Sequence, residues 1–573
     1  MLRKGGPLMR FKQLTRTAIL GFFIFFAADS AFADNSKISP DLLPYLSNPS
    51  ANVNVIVQYN APPATTGLLG GLLGGVLGLV GGVVHTVFSL LSAVSATLQA
   101  GDIITLSNQS NVTYISLDRS LGATLDYAVD AVNAPVAWKY GYDGTGIGIA
   151  VIDSGIYQHE DLGSRVVYRQ SFVGGKNNDD YGHGTHVAGI LAGSGKASNV
   201  PGTLHLLRGV APNANLVDLR VLDANGSSND SAVIAAIEKA VSLKSRYNIR
   251  VINLSLGRPI FETCNLDPLC AAVGAAWKQG IVVVTAAGNL GRNGYGTVLA
   301  PGNSPYVITV GAMKTEDTYP RTDDLIASYS SKGPTHIDGT AKPDVVAPGN
   351  LVVSLLAPGS TLAATYPANL VPPSYYGSGA YASGPAQYFR MSGTSMATPV
   401  VSGAAALLIQ EDPSVTPDTV KARLMKTAYK AFPASSTAYD STTGQSYTSQ
   451  YDLFTVGAGY IDIAAAISDH EVATRSAASP GLSANLVTRQ ISVLSNPSLL
   501  WNSSSSWSNG AVWGTNVFEP GLSSTGAVWG TGAVWGTGAV WGTGAVWGTG
   551  AVWGTGAVWG TGAVWGTGSN MEQ

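Results

Sequence analysis

The stretch GIGIAVIDSGI (146–156) decides the fold. Small and apolar residues run without polar alternation up to Asp153, and Ser154-Gly155 then closes the run with a turn. An uninterrupted apolar run between turn signals reads as a strand buried on both faces, the signature of a parallel sheet covered by helices. Asp153 therefore stands at the C-terminal end of such a strand, where open α/β sheets place their reacting groups. The expected fold class is α/β, a doubly wound, mostly parallel sheet flanked by helices.

Two later phrases supply partners for that carboxylate. In YGHGTHVAGILAG (181–193), His183 sits between Gly182 and Gly184 ahead of an apolar, helix-like run. His186 follows in the same run, but the acidic residue of an HExxH metal helix is missing, so His186 is expected to pack or hydrogen-bond within the fold. In MSGTSMATPVVSGAAALLIQ (391–410), a tight Gly-Thr-Ser turn opens a long apolar helix and leaves Ser395 at its N-terminus. Unpaired N–H groups and the positive end of the helix dipole favour negative charge developing there. Alone, Ser395 reads equally well as a helix cap and His183 as a turn residue. Together the three groups make a chemical set. A serine hydroxyl is too weak an acid to supply alkoxide, so it needs an adjacent imidazole, and the imidazole needs a carboxylate to orient it.

At this point the chain resembles the subtilisin-like serine proteases, through AVIDSGI (150–156), GHGTHVAG (182–189) and GTSMATPVVSG (393–403), in the order Asp, His, Ser. INLSLG (252–257), VVTAAGN (283–289) and KPDVVAPG (342–349) extend the resemblance over residues 126–469. The resemblance implies a serine endopeptidase acting on protein or peptide substrates through an acyl-enzyme, with Asp153, His183 and Ser395 as its triad. It implies that Asn289 and the Ser395 backbone N–H stabilise the oxyanion, and that Ser255, Leu256 and Gly257 pair with the extended substrate. By the same resemblance Leu299 is expected near the floor of the first specificity pocket, which implies a moderately apolar preference. Met396 would make activity oxidation-sensitive if exposed. The segment 193–212 replaces the short calcium-binding loop of many relatives and lacks a convincing ligand set. The chemistry requires no cofactor; a structural calcium stays open as a reading, with no site assignable to it. Asp179 and Asp180 read as an acidic surface turn, and residues 357–388 as an inserted loop.

The rest of the 573 residues brackets this region. A net charge of −3 and a charged fraction of 12% provide no basic stripe, which argues against nucleic acid as a partner. Arg3, Lys4, Arg10, Lys12 and Arg16 precede the apolar run AILGFFIFFAA and the small residues near Ala33, so 1–33 is expected to be a signal peptide and the protein secreted or held at the cell surface. Cys264 and Cys270 then suit one small disulfide loop in an oxidising compartment. Residues 34–121 read as a small α+β unit: strands near 53–59 and 112–118, a helix over 87–99, and a glycine-rich apolar insertion from 67. By resemblance this unit is a propeptide that inhibits the enzyme until cleaved between about 120 and 130. The catalytic domain is expected over 122–470, a linker over 471–525, AVWGTG repeats over 526–568 and a short end over 569–573. With an even period of six, an extended tail would place every tryptophan on one face, to bind a cell surface or another copy of itself.

Overall fold

The computed structural model describes residues 35–39, 42–60, 82–88, 92–117, 126–175, 177–440, 444–485, 490–494, 498–501, 506–513, 535–537 and 542–543. The segment 1–33 expected as a signal peptide, residues 67–81, the region around 120 and most of the repeat array lie outside these. The chain divides into two compact units, Met1–Leu121 and Gly122–Gln573.

In the first unit, β1 (Asn52–Tyr59), β2 (Val83–Phe88), β3 (Ala93–Gln99), α1 (Ala100–Ser107) and β4 (Val112–Leu117) follow in order. The four strands form an antiparallel sheet in the order β2-β3-β1-β4. Val53, Val55 and Val57 alternate inward along β1 and share a core with Ile103 and Leu106 of α1. The helix expected over 87–99 is not formed. Residues 93–99 are the strand β3, paired along one edge with β1 and along the other with β2. An apolar run this short fits either state, and ladder bonds on both edges decide for the strand.

The second unit opens with α2 (Asp126–Ala131) and α3 (Ala134–Lys139) and then builds an eight-stranded sheet. Its strands are β5 (Gly148–Asp153), β6 (Val166–Ser171), β7 (Asn215–Arg220), β8 (Ile249–Leu254), β9 (Val282–Ala286), β10 (Ile308–Lys314), β11 (Leu325–Ile326) and β12 (Val345–Pro348). They run in the order β11-β10-β9-β8-β5-β7-β6, with β12 also on β10, and only the β10–β11 pair is antiparallel. Every residue of β5 is buried, as its apolar run requires. From β5 the chain builds β6 and β7 on one side and β8 to β10 on the other. The end of β5, which carries Asp153, is therefore the point where the strand order reverses.

Helices supply the rest of the frame. The helices α4 (His183–Ala192) and α7 (Thr394–Glu411) pack against each other, and α7 also lies on β8, β9 and β10. Gly403 permits the close seat of α7, since a Cβ there would come 2.6 Å from the Val210 Cβ. The helices α5 (Asp230–Tyr247) and α6 (Pro268–Lys278) form a second packed pair, capped by Asn229 and Asp267. Further along, β13 (Val352–Leu355), β14 (Leu370–Val371) and β15 (Tyr388–Met391) make a small antiparallel sheet in the order β13-β15-β14. After α8 (Pro417–Thr427) the chain does not simply trail away. Within the segment expected as a linker, Ala477, Leu500, Trp501, Trp507, Val512 and Trp513 are buried in the core of this unit. Cys264 and Cys270 are joined by a disulfide, with their Cα atoms 5.4 Å apart. Among the described residues no helix is long and apolar enough to cross a membrane.

Candidate active site

The end of β5 and the start of α4 meet through backbone that only glycine allows. A Cβ on Gly184 would strike the Gly155 carbonyl and lie 3.2 Å from the Asp153 Cβ. This approach brings His183 Nδ1 to 2.7 Å from Asp153 Oδ1, which also accepts the Ser154 N–H at 2.7 Å. Burial disfavours the imidazolium, but the Asp153 carboxylate outweighs it and holds the His183 pKa above its ordinary 6.5.

Ser395 occupies the first turn of α7, as the sequence suggests. Its hydroxyl donates to the Ser255 carbonyl at 3.1 Å, while the Ser255 hydroxyl donates to the Ser395 carbonyl at 2.8 Å. Ser255, Leu256 and Gly257 share with His183 a cleft of about 440 Å³, walled also by Tyr181 and Leu222. The nucleophile candidate thus bonds to the same edge that lines the cleft beside His183. Asn289 lies beside the turn, where its Oδ1 accepts the Thr394 N–H at 2.9 Å and the Thr394 hydroxyl at 3.1 Å. Because those partners are donors, the carbonyl end of the side chain faces α7 and the NH₂ end is left to donate elsewhere. Leu299 sits under this edge: a Cβ on Gly257 would lie 3.0 Å from the Leu299 Cβ. Met396 is 1% exposed, so the condition attached to its oxidation sensitivity is not met.

Several residues prove more central than their sequence context suggests. Asp179 is no surface turn. It is 2% exposed and accepts bonds from the Ser154 hydroxyl, the Gly182 N–H, and both the N–H and hydroxyl of Thr185, at 2.6 to 2.8 Å. One carboxylate thereby ties the turn after β5 to the turn that presents His183. Asp180 points outward, as expected, and pairs with Arg220 at 2.8 Å. His186 packs inside the fold as expected, its Nε2 reaching the Val352 and Phe389 carbonyls at 3.1 and 3.0 Å. The inserted loop 357–388 braces the cleft, since Leu362 N–H donates to the Tyr181 carbonyl and Thr361 N–H to that of Asp180. The segment 193–212 is anchored on Asp161, which accepts the Ala197 N–H at 2.6 Å and the Tyr388 hydroxyl at 2.9 Å. Among the described residues no cluster of three or more His, Cys, Asp or Glu side chains could hold a metal ion.

Comparison with known proteins settles the family. The subtilase family model matches residues 144–459. The chain belongs to the subtilase family. It is 41% identical over 329 residues to serine protease AprX of Bacillus subtilis, covering 55% of this chain and 69% of that protein. Subtilisin E of the same species is 36% identical over 353 residues, covering 60% of this chain and 77% of subtilisin E. An alkaline protease of Alkalihalobacillus alcalophilus is 34% identical over 346 residues, or 75% of its length. This subtilase is accordingly a serine endopeptidase with an α/β catalytic domain, and its substrates are proteins.

Proposed function

We propose that this subtilase hydrolyses peptide bonds with Asp153, His183 and Ser395 as its triad and Asn289 as oxyanion donor. The observation that carries this is the 2.7 Å contact of His183 Nδ1 with Asp153 Oδ1, made beside the cleft whose edge holds Ser395. Nδ1 is engaged by the carboxylate, so Nε2 is the nitrogen that takes the Ser395 proton and later delivers it to the leaving amine. Asp153 fixes the ring and stabilises its protonated form. As the serine oxygen attacks the carbonyl carbon, the oxyanion meets the Asn289 amide, pre-aimed by Thr394, and the Ser395 N–H at the helix start. An extended substrate pairing with Ser255, Leu256 and Gly257 competes for the Ser255 carbonyl and so frees the Ser395 hydroxyl to turn to His183. Leu299 beneath this edge favours a moderately apolar side chain next to the scissile bond.

The same reading extends to the life of the chain. The protein is exported by residues 1–33, made as a zymogen whose first unit is an inhibitory propeptide, and cleaved by itself between about 120 and 130. Parallel sheets with long-range pairing fold slowly, which gives such a unit a physical task. The triad chemistry needs no metal, and the Asp161 carboxylate is taken up by protein donors from the 193–212 segment and from β15. Activity on an unstructured protein is therefore expected to survive a chelator. A Ser395→Ala chain is expected to hydrolyse nothing and to accumulate at unprocessed length. Normal processing of that variant would assign maturation to another protease, and undiminished hydrolysis would remove Ser395 from the mechanism.

A further inference from the structure

The tryptophan spacing of the repeat array begins before the array does. Trp501, Trp507 and Trp513 are also six residues apart, and Trp513 belongs to GAVWGT (510–515), the phrase repeated over 526–568. This first copy is seated in the structure. Residues Asn509–Trp513 form one helical turn, α9, started by Ser508: its hydroxyl accepts the Ala511 N–H at 3.3 Å and its carbonyl the Val512 N–H at 3.0 Å. The turn packs on α8. Val512 and Trp513 are wholly buried there, with Trp501 edge-on to Trp507 at 6.4 Å and the Lys426 ammonium of α8 5.1 Å over the Trp507 ring.

Two features make this seat a receptor and not only a piece of core. The indole Nε1 of Trp513 has no hydrogen-bond partner among the described residues, so the seat recognises the phrase by shape and apolar contact. The array copies present the same apolar side chains, although those after the first carry Gly where Ser508 starts the docked turn. Among the described residues one such seat is seen, while the sequence carries many such phrases, with tryptophans at 529, 535, 541, 547, 553, 559 and 565 beyond the docked one. In a later copy the last three residues of the phrase, Trp535–Thr537, are extended and pair in parallel with Gly542–Thr543, whereas Trp513 closes a helical turn on α8.

We propose that the α8 seat is a binding site for the GAVW phrase and that the array of one chain lodges on the catalytic unit of a second copy. The attached phrase at 510–513 competes for its own seat with the advantage of a short tether. Docking between chains therefore grows with local concentration, and a single array can gather several catalytic units.

The test uses enzyme inactivated at its serine with a sulfonyl fluoride and a fluorescein-labelled GTGAVWGTG peptide. Two chains have a vacated seat: one ending at 525 with Trp513→Ala, and one ending at 508. Both are expected to bind the peptide saturably, at least tenfold more tightly than a chain ending at 525 with Trp513 intact, and to ignore GTGAVAGTG. In sedimentation, the full chain with Trp513→Ala is expected to form concentration-dependent assemblies that disappear when 526–568 is removed. Absence of saturable binding to the vacated chains overturns the receptor. Saturable binding with a full-length variant that stays monomeric overturns the docking between copies. Should neither vacated chain fold, hydrogen exchange at Val512 in the unaltered full chain reads the same competition. Added peptide is expected to speed that exchange, and no change would overturn the proposal.

Discussion

Two histidines three residues apart at the start of α4 are treated in opposite ways. His183 and His186 are both largely shielded from water, and burial pushes both toward the neutral form. At His183, beside the cleft, Asp153 reverses that push and the pKa rises. At His186 burial, with the nearby His183 charge added, drives the pKa down to about 3. Since both partners of His186 Nε2 are carbonyl oxygens, that nitrogen carries the hydrogen and the ring stays a neutral donor. It pins α4 to β13 and β15. Burial is common to both sites, so the partner alone divides a proton acceptor from a structural pin.

The most damaging way to erase the difference is Asp153→Asn, which leaves His183 buried without its charge. The expected loss of kcat/KM is about 10⁴-fold, the size that misorienting the imidazole costs in serine-protease triads. The pH profile carries the sign. Catalysis needs neutral His183, so wild-type kcat/KM falls as pH drops through a His183 pKa above 6.5, and the residual activity of the variant should persist to lower pH. An acid limb that does not move would detach it from His183.

Next in size is Asp179→Asn. The amide can accept fewer of the bonds from Ser154, Gly182 and Thr185, and it removes a charge that helps raise the His183 pKa. Bonds to a charged group are each worth about 1.5 to 3 kcal/mol, so kcat/KM should fall about 10- to 100-fold, with the acid limb again shifted down. A change within about twofold would make Asp179 a bystander to the turn it joins.

The strand, turn and helix start that hold Asp153, His183 and Ser395 are written locally, in an apolar run, a glycine pair and a Gly-Thr-Ser turn, and the structure has them in those places. Asp179 was not legible in that way. Its neighbours Asn177, Asn178 and Asp180 have surface composition, and its burial arises only because Ser154 and Thr185 fold over it from both sides. The strand β3 was misread because its pairing partners, not its own period, determine it. The docked segment up to Trp513 carried a usable sign, tryptophans at the array's own spacing, hidden by the serines and asparagines between them.

Replacing the pin tests the other half of the comparison. His186→Ala removes a buried ring and leaves two inward carbonyls, those of Val352 and Phe389, short of a donor. A stability loss of about 2 to 4 kcal/mol is expected in denaturant unfolding, with little change in kcat/KM for the molecules that remain folded. A pH-dependent loss of kcat/KM at full stability would instead place His186 in the proton path.

Asp218 offers the mildest test, because it asks whether a cation can do for a buried carboxyl what Asp153 does for His183. Its Oδ2 accepts Arg169 Nη1 at 2.8 Å and the Ile156 N–H at 3.2 Å. Burial nevertheless outweighs the partly exposed Arg169, and the Asp179 and Asp153 charges add to it, raising the pKa from 3.8 to about 7. The folded state therefore holds this proton more tightly than the unfolded chain, and stability falls as pH rises from about 4 to about 7, then levels. Asp218→Asn lacks that proton, so its melting temperature relative to wild type should climb between pH 4.5 and 7.5. A difference that stays flat across that window would mean that Arg169 keeps the carboxylate ionised throughout, and that a single cation partner overrides burial here as the carboxylate does at His183.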